Sequence, residues 1–391
     1  MEIKCVTGVA PVNIALIKYW GKRDEELILP LNDSLSVTLS TEYMHSKTSI
    51  AISPNFTEDE IWINGRKETM DSFRLRNCIA AIKNLAKEKI TSEELNWKIR
   101  ICTENNFPTA AGLASSASGF ACFVFVLSKL YGVDAELSRI ARLGSGSACR
   151  SLNGGFVQWH AGSLDDGSDS LAKQVFPVEH WPNLHCLILV VNAAKKKTSS
   201  TIGMRRAVVT SRLLPHRLEY VPQNIEKLTE AIKNKDFDSF AEITMRDSNQ
   251  FHAICLDTYP PEIYMNDVSH CIASFVHQYN AAFGHAKVTY TFDAGPNACL
   301  FILEENVPLV LKTILKIFPS DTTEEGYFRG IPLDVNKIDV KKIPEINLNI
   351  PANALKFIIH TKIGDGPVIL NDPGESLISP KGELLNIISE Q

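Results

Sequence analysis

The stretch NNFPTAAGLASSAS, residues 105–118, decides the fold, because a loop of small residues leads directly into an apolar run at 120–130. This order predicts a loop followed by a helix. Without bulky side chains the loop backbone can approach an anion closely, and the first N–H groups of the helix lack partners within it. A polyphosphate would accept hydrogen bonds from those groups at the positive end of the helix dipole. An ordinary capped helix has the same pattern, so other segments must decide between the two interpretations.

The composition bounds the size and the partners of the protein. The chain has 391 residues and therefore exceeds the usual size of a single core. Of these residues 45% are hydrophobic and 22% charged, an ordinary composition for a globular protein. We therefore expect two lobes, or one large α/β unit with a cleft. The formal charge of −5 disfavours a nucleic-acid-binding protein, which needs a basic face. Any anion site must be a local concentration of lysine and arginine.

The cysteines and the apolar runs indicate the compartment. Nine cysteines, an odd number, are scattered without a Cys-x-x-Cys pair, which is typical of reduced thiols in a cytoplasmic protein. The first residues lack a signal-peptide pattern, and the apolar runs at 121–127 and 186–191 are too short to span a bilayer. We therefore expect a cytoplasmic protein with no membrane partner.

Hydrophobic periodicity and turn residues predict a chain that mixes strands and helices. In the first half, strands are expected at residues 3–10, 35–40, 48–52, 61–63, 98–103, 155–160 and 184–191, with helices at 72–87, 120–130 and 135–143. In the second half, helices are expected at 223–233, 237–247 and 261–279, and strands at 287–292, 298–303 and 356–361. A charged and polar run at 195–200 separates strand from helix, so we place the boundary between two lobes after residue 191.

Three further segments carry residues suited to anions. Residues 10–23, APVNIALIKYWGKR, place three cations after a predicted strand, a pattern that is also typical of a solvated basic turn. Residues 144–151, GSGSACRS, either hold a diphosphate while Arg150 binds a carboxylate with its planar fork, or form a flexible linker. Residues 199–206, SSTIGMRR, offer hydroxyls and two arginines at a predicted helix start, where capping explains the hydroxyls equally well.

One carboxylate, Asp293, follows a predicted strand in the segment YTFDAGPN, residues 290–297. An aspartate at such a turn often serves the turn alone. If it faces the anion loops, it can orient or deprotonate a hydroxyl during phosphoryl transfer. The sequence has no Gly-x-x-x-x-Gly-Lys-Ser/Thr loop, no Gly-x-Ser-x-Gly elbow and no His-Glu-x-x-His helix. No zinc site is expected.

Taken together, these blocks resemble the GHMP kinase superfamily of small-molecule kinases. The superfamily's phosphate loop is matched by PTAAGLASSA, residues 108–117, although most of its kinases have glycine where this chain has Ala114. The alanine form is similar to the decarboxylase branch of the superfamily. Residues 12–23, 144–151 and 292–297 resemble the same branch, and DSNQFH at 247–252 adds a fifth match in family order.

The resemblance implies a two-lobed α/β (α+β) fold with antiparallel and mixed sheets, helices between them and a central active-site cleft. Residues 1–191 would form the ATP-binding lobe, and residues 192–391 the lobe that supplies the catalytic aspartate. The implied reaction is ATP- and Mg²⁺-dependent decarboxylation of (R)-mevalonate 5-diphosphate to isopentenyl diphosphate, with release of ADP, phosphate and CO₂. This reaction belongs to the mevalonate pathway of isoprenoid and sterol biosynthesis, and members of the branch are commonly homodimers.

By position in the motifs, the resemblance also implies three groups of site residues. The catalytic residues would be Asp293, Lys18 and Arg150. The ATP contacts would be Pro108, Ala111, Gly112, Leu113, Ala114, Ser115 and Ser116, with either serine available to Mg²⁺. The substrate contacts would be Tyr19, Trp20, Gly21, Lys22, Arg74, Ser145, Gly146, Ser147, Ala148, Cys149, Arg150 and Thr201.

Two other functions stay open. A kinase of the same superfamily would stop at the phosphorylated alcohol and release no CO₂. A catalytically silent relative would bind ATP without turnover, although the retention of Lys18, Ser116, Arg150 and Asp293 disfavours it. The sequence also leaves open whether Asp293 removes the hydroxyl proton or mainly orients the hydroxyl.

Overall fold

A computed structural model describes residues 2–107, 115–191, 198–322, 324–334, 341 and 343–385. Its strands, in chain order, are β1 (Lys4–Pro11), β2 (Asn13–Ile17), β3 (Lys22–Asp24), β4 (Leu29–Pro30), β5 (Ser34–Thr38), β6 (His45–Ser53), β7 (Glu60–Ile63), β8 (Arg66–Glu68), β9 (Lys98–Asn105), β10 (Phe156–Trp159), β11 (Ala172–Phe176), β12 (Leu184–Val191), β13 (Val288–Phe292), β14 (Ala298–Leu303), β15 (Phe328–Gly330), β16 (Leu355–Lys362) and β17 (Val368–Leu370). Its α-helices are α1 (Phe73–Ala86), α2 (Ser92–Asn96), α3 (Ser115–Leu130), α4 (Ser138–Gly144), α5 (Ser200–Thr210), α6 (Leu214–Asn234), α7 (Phe237–Asp257), α8 (Asp267–Phe283), α9 (Val307–Ile317) and α10 (Glu324–Tyr327).

The first sheet is mixed and has the strand order β17-β1-β6-β9-β7-β8. Its strands pair antiparallel except for β7 and β9, which run parallel. Alternate residues of a strand point to opposite faces, so Ile50 and Ile52 of β6 lie on one face and pack against α1, α3 and α4. Helix α3 therefore lies on this sheet, with its first residues at the edge of a cleft.

Two further sheets share one hydrophobic core. The sheet β11-β10-β5-β2 is antiparallel, and the sheet β13-β14-β12-β16-β15 is antiparallel except for its parallel pair β15 and β16. Ile14 of β2 and Ile188 of β12 belong to the same buried cluster, together with Leu228 of α6 and Phe240 of α7. The other face of the five-stranded sheet packs against α8 and α9. Every residue of β12 is buried because both faces of that strand are covered.

The end of the chain returns to the first sheet. Strand β17 pairs with β1, with Leu370 opposite Thr7. Leu377 and Ile378 then pack against Phe56 at the far side of that sheet. A division of the chain after residue 191 stays a prediction, and residues 192–197 lie outside the described part of the chain.

The predicted fold class is confirmed: mixed and antiparallel sheets pack with helices around a central cleft. Three helix predictions were wrong in their bounds. Helix α6 begins at Leu214 rather than residue 223, because Pro215 suits the first turn of a helix, and the helix continues through Pro222. Helix α8 begins at Asp267 rather than residue 261, because Asn266 caps it. Helix α7 continues to Asp257, ten residues beyond the predicted end, and α9 was not predicted.

Candidate active site

The predicted anion-binding segments meet at one cleft of about 530 Å³. Among its described lining residues, four are cations and one is an acid, so the local charge is opposite to that of the whole chain. The charged lining residues are Lys18, Lys22, Arg74, Arg150 and Asp293. The other lining residues are Asn13, Ala15, Tyr19, Trp20, Ile28, Ser115, Ser116, Ser145, Gly146, Ser147, Ser199, Ser200, Thr201, Met204, Phe251 and Ala294. The cleft thus has the local concentration of lysine and arginine that an anion site requires.

Lys18 and Asp293 form an ion pair at the base of this cleft. Lys18 follows the last residue of β2, and Asp293 follows the last residue of β13. Lys18 Nζ lies 2.6 Å from Asp293 Oδ1 and donates a second hydrogen bond to the carbonyl oxygen of Ala15 at 2.9 Å. The Lys18 side chain is only 3% exposed, so the carboxylate stabilises an otherwise costly buried charge. The Asp293 side chain is 33% exposed and stays accessible from the cleft.

Arg150 lies at the wall of the cleft, in a 3-10 turn at Gly146–Leu152. Its Nε donates to Asn13 Oδ1 at 3.1 Å, and its Nη1 donates to Ser34 Oγ at 2.7 Å. Burial lowers the pKa of the Arg150 guanidinium from its usual value, although an arginine remains charged. Among the described residues no carboxylate forms an ion pair with it, so its remaining donors suit an anionic ligand.

The loop that carries Arg150 packs against an aromatic pair. The ring centroids of Tyr19 and Trp159 are 4.7 Å apart. A Cβ at Gly146 would lie 2.9 Å from Cε1 of Tyr19 and 3.0 Å from Cη2 of Trp159. Burial raises the pKa of the Tyr19 hydroxyl well above its usual value, so this side chain stays neutral. Glycine at position 146 therefore lets a loop of backbone donors lie directly on the Tyr19 ring.

Helices α1 and α5 bring two further predicted substrate residues, Arg74 and Thr201, to the cleft. Arg74, on α1, donates from Nη2 to Oγ1 of Thr201, on α5, at 3.4 Å. Ser199 Oγ accepts a hydrogen bond from the backbone N–H of Ile202 and caps α5, whose N-terminus faces the cleft. Lys22 Nζ pairs with Glu25 Oε2 at 2.8 Å. A helix N-terminus and two cations therefore face the same space.

Some predicted contacts do not line the cleft. Gly21 has φ of +90° in a turn where a Cβ would lie 2.7 Å from Leu31 Cδ1. Ala148 and Cys149 are buried in hydrophobic clusters, and burial raises the pKa of the Cys149 thiol to about 12. Their roles as substrate contacts stay predictions.

The predicted ATP loop is only partly described. Ser115 and Ser116 open α3 and line the cleft, and Ser116 Oγ lies 3.4 Å from Ser145 Oγ. The Ser116–Ser145 contact thus joins the start of α3 to the loop of Arg150. The other predicted ATP contacts, Pro108, Ala111, Gly112, Leu113 and Ala114, lie outside the described residues.

The sequence interpretation gave no role to three polar residues that hold the site together. Asn13 accepts from Arg150 and donates from Nδ2 to the carbonyl oxygen of Ser147 at 3.0 Å. Arg217 and Asp247 form a fully buried ion pair at 2.9 Å, beside Lys18. An asparagine at the start of an apolar strand was a usable signal for Asn13. Asp247 lay in a matched block without a role, and nothing in the local sequence marked Arg217.

Comparisons with known proteins give consistent results over most of the chain. The family model of the diphosphomevalonate decarboxylase-like N-terminal domain matches residues 10–172, and that of the mevalonate 5-diphosphate decarboxylase C-terminal domain matches residues 186–370. Diphosphomevalonate decarboxylase of Danio rerio is 48% identical over 386 residues, which cover 97% of this chain and 96% of that protein.

Solved structures agree with the sequence comparisons. Mevalonate diphosphate decarboxylase from Trypanosoma brucei matches with a TM-score of 0.88 at 39% identity, covering 96% of this chain and 100% of that one. A structure of MDDEF in complex with MVAPP, AMPPCP and magnesium matches with a TM-score of 0.75 at 30% identity, covering 95% of this chain and 100% of that one.

Proposed function

This chain belongs to the mevalonate 5-diphosphate decarboxylase family, and on that premise we propose that it converts (R)-mevalonate 5-diphosphate to isopentenyl diphosphate. The reaction consumes ATP and releases ADP, phosphate and CO₂. The observation that carries this proposal is the Lys18–Asp293 ion pair, which lies in a cleft with three further cations. The reaction belongs to isoprenoid and sterol biosynthesis.

The charges of the cleft fit the charges of the two substrates. A diphosphate, a carboxylate and ATP together carry roughly eight negative charges when fully ionised, and these repel one another strongly in a desolvated space. Lys18, Lys22, Arg74 and Arg150 offset that repulsion, together with the N-termini of α3 and α5. Lys22, Arg74 and the α5 terminus would hold the diphosphate, and the start of α3 would hold ATP.

The chemistry of the substrate assigns separate roles to the carboxylate of Asp293 and the guanidinium of Arg150. Phosphorylation of the tertiary 3-hydroxyl creates a good leaving group, and its departure develops positive charge on a tertiary carbon. Loss of CO₂ then supplies the electron pair that closes the alkene. Asp293 orients or deprotonates the hydroxyl, while Lys18 holds the Asp293 carboxylate in place and stabilises charge on the transferred phosphoryl group. Arg150 binds the substrate carboxylate through the donors that Asn13 and Ser34 leave available.

ATP and Mg²⁺ are the proposed co-substrate and metal. The complex of MDDEF with MVAPP, AMPPCP and magnesium supports both. Mg²⁺ takes oxygen ligands and usually bridges phosphates while it keeps several waters. The hydroxyls of Ser115 and Ser116, at the start of α3, suit this donor set and would hold the ion. When bound, Mg²⁺ supplies charge neutralisation at the phosphates.

We also propose that the protein is a cytoplasmic homodimer. Its nine cysteines are free, which suits a reducing compartment. Among the described residues no helix is long and apolar enough to cross a membrane. Val209 and Tyr259 are about four-fifths exposed and lie close together, because the Tyr259 N–H donates to Thr210 Oγ1. Such exposed apolar side chains suit a subunit contact. Sedimentation of a Val209→Asp, Tyr259→Asp double variant as a monomer would support this surface, whereas an unchanged dimer would exclude it.

Product analysis tests the proposed reaction. The protein is incubated with mevalonate 5-diphosphate, ATP and Mg²⁺, while released CO₂ is captured and the organic product is identified by mass spectrometry. We expect equal amounts of ADP, phosphate, CO₂ and isopentenyl diphosphate. A phosphorylated alcohol as the sole product would instead identify a kinase. ATP binding without any turnover would identify a silent relative.

A further inference from the structure

Residues on α6 and α7 contact the backbone of Lys18 and of Phe292, the residue before Asp293. We propose that Arg217, Asp247 and Ser248 are positioning residues that hold Lys18 against Asp293 during the reaction. This inference rests on the proposed function, because it concerns the geometry of that reaction.

The first contact is with the backbone of Lys18. Asp247 Oδ1 accepts a hydrogen bond from the Lys18 N–H at 2.8 Å, and Arg217 Nη2 donates to the Lys18 carbonyl oxygen at 2.9 Å. Asn32 Nδ2 donates to the same oxygen at 3.0 Å. Lys18 lies just beyond β2, where the strand's own hydrogen bonds have ended. Side chains of other elements therefore fix both backbone polar groups of this residue.

The second contact is with the strand that delivers Asp293. Ser248 Oγ accepts a hydrogen bond from the backbone N–H of Phe292 at 3.0 Å, one residue before Asp293. Asn249 Oδ1 accepts from the Tyr290 hydroxyl, on the same strand, at 3.0 Å. Asp247 and Ser248 are consecutive, so one turn of α7 holds both β2 and β13 at their ends.

The buried ion pair between Arg217 and Asp247 supports a positioning role for these two residues. The side chains of Arg217 and Asp247 are both 0% exposed, and Arg217 donates to both oxygens of Asp247, at 2.9 and 3.0 Å. Burying two charges is costly, and an apolar pair of similar size often stabilises a fold equally well. The two parallel hydrogen bonds between Arg217 and Asp247 instead fix the orientation of both side chains. Arg217 and Asp247 each also form a hydrogen bond with the Lys18 backbone.

The ion pair needs such support because its members come from distant parts of the chain. Lys18 and Asp293 are 275 positions apart, yet their polar atoms meet at 2.6 Å. A misplacement of about 1 Å at a reacting centre can lower a rate by roughly a hundredfold. Hydrogen bonds that fix the ends of β2 and β13 therefore favour a constant distance between Lys18 and Asp293.

Ser248→Ala tests the proposal without disturbing the buried ion pair. The variant removes the acceptor of the Phe292 N–H, and we expect kcat to fall about tenfold while KM for both substrates changes less than about twofold. Thr244→Val is the matched control. Thr244 lies one turn earlier on α7, is equally buried, and its hydroxyl has no partner among the described residues. The control should keep its kcat. Unchanged kcat in Ser248→Ala, or an equal loss in Thr244→Val, would overturn the proposal.

A second measurement separates positioning from a general effect on folding. In a Lys18→Met background the contact with Asp293 is already lost, so Ser248→Ala should lower kcat by less than about threefold. A loss as large as in the wild-type background would show that Ser248 acts independently of the pair and would overturn the proposal. Wild-type CO₂ release, measured in the same assay, tests the proposed function separately, because it does not depend on either variant.

Discussion

Asn13 accepts a hydrogen bond from Arg150 Nε at 3.1 Å, and Asn13 in turn donates to the carbonyl oxygen of Ser147. A side chain at the start of β2 therefore fixes the plane of a guanidinium that belongs to a different loop. The planar fork of Arg150 is held ready for a carboxylate before the substrate arrives.

Arg150→Lys should therefore be damaging although it keeps the charge. An ammonium cannot bond to Asn13, Ser34 and a substrate carboxylate in one plane. A charge-assisted hydrogen bond contributes about 1.5–3 kcal/mol, so we expect kcat/KM for mevalonate 5-diphosphate to fall by roughly 10- to 100-fold in steady-state assays. Arg139→Lys, an exposed substitution on α4, is the control. Normal kinetics in Arg150→Lys would contradict the carboxylate contact.

Asp293→Asn should lower turnover while leaving binding almost intact. The amide keeps the size of the carboxylate but cannot take up the hydroxyl proton, and it no longer neutralises Lys18. We expect kcat to fall by at least about a hundredfold, with ATP and substrate affinities within about threefold of the wild type. Stopped-flow binding and CO₂ release measure the two effects separately.

Asp267→Asn provides the matched control, since Asp267 is an exposed carboxylate at the start of α8. It should keep full activity. If Asp293→Asn retained near-normal kcat, Asp293 would have no chemical role.

The sequence was most informative where a local pattern and a chemical requirement coincide. The small-residue loop before α3, the loop of Arg150 and the turn at Asp293 were each recognisable from a few consecutive residues. The structure brings the described parts of these loops to one cleft. Their roles could be proposed because phosphate and carboxylate ligands need the residue types that those loops carry.

Residues that act through long-range packing could not be found in this way. Arg217 lies on the first turns of α6, which were not predicted as helical, and its partner Asp247 lies 30 positions away. Their function depends on the position of the Lys18 backbone, which only the three-dimensional fold determines. The return of β17 to the first sheet was equally invisible, because its three residues carry no distinctive pattern.

Two glycine substitutions should affect different properties, Gly146→Ala the binding of substrate and Gly119→Ala the stability of the fold. At Gly146 a Cβ would lie 2.9 Å from the Tyr19 ring, so Gly146→Ala must displace a ring that lines the cleft. At Gly119, within α3, a Cβ would meet nothing within 4 Å. Gly119→Ala should therefore raise the free energy of unfolding by about 0.5–1 kcal/mol, because alanine favours a helix more than glycine does.

Urea unfolding and steady-state kinetics measure the effects of these two glycine variants. Gly146→Ala should raise KM for mevalonate 5-diphosphate severalfold, whereas Gly119→Ala should leave KM unchanged. An unaltered KM in Gly146→Ala would mean that the Tyr19 ring does not contact the substrate.

Two buried histidines should make stability depend on pH. Burial, reinforced by the nearby Lys18 charge, lowers the pKa of His252 from 6.5 to about 4. Burial likewise lowers the pKa of His360 to about 4, with His185 adding to the effect. Both side chains are therefore neutral in the native protein at neutral pH.

The sign of the effect follows from which state binds the proton first. Between pH 6.5 and pH 4 the unfolded chain is protonated at these histidines while the native protein is not, so the free energy of unfolding falls as the pH falls. Above pH 6.5 neither state is protonated and the contribution is constant. Between pH 7 and pH 5, each histidine should lower the free energy of unfolding by about 2 kcal/mol. In urea unfolding, His360→Asn should lose about that part of the pH dependence, whereas His216→Asn, at a side chain 69% exposed, should retain all of it. A His360→Asn variant with the full wild-type dependence would show that His360 is protonated as easily in the native protein as in the unfolded chain.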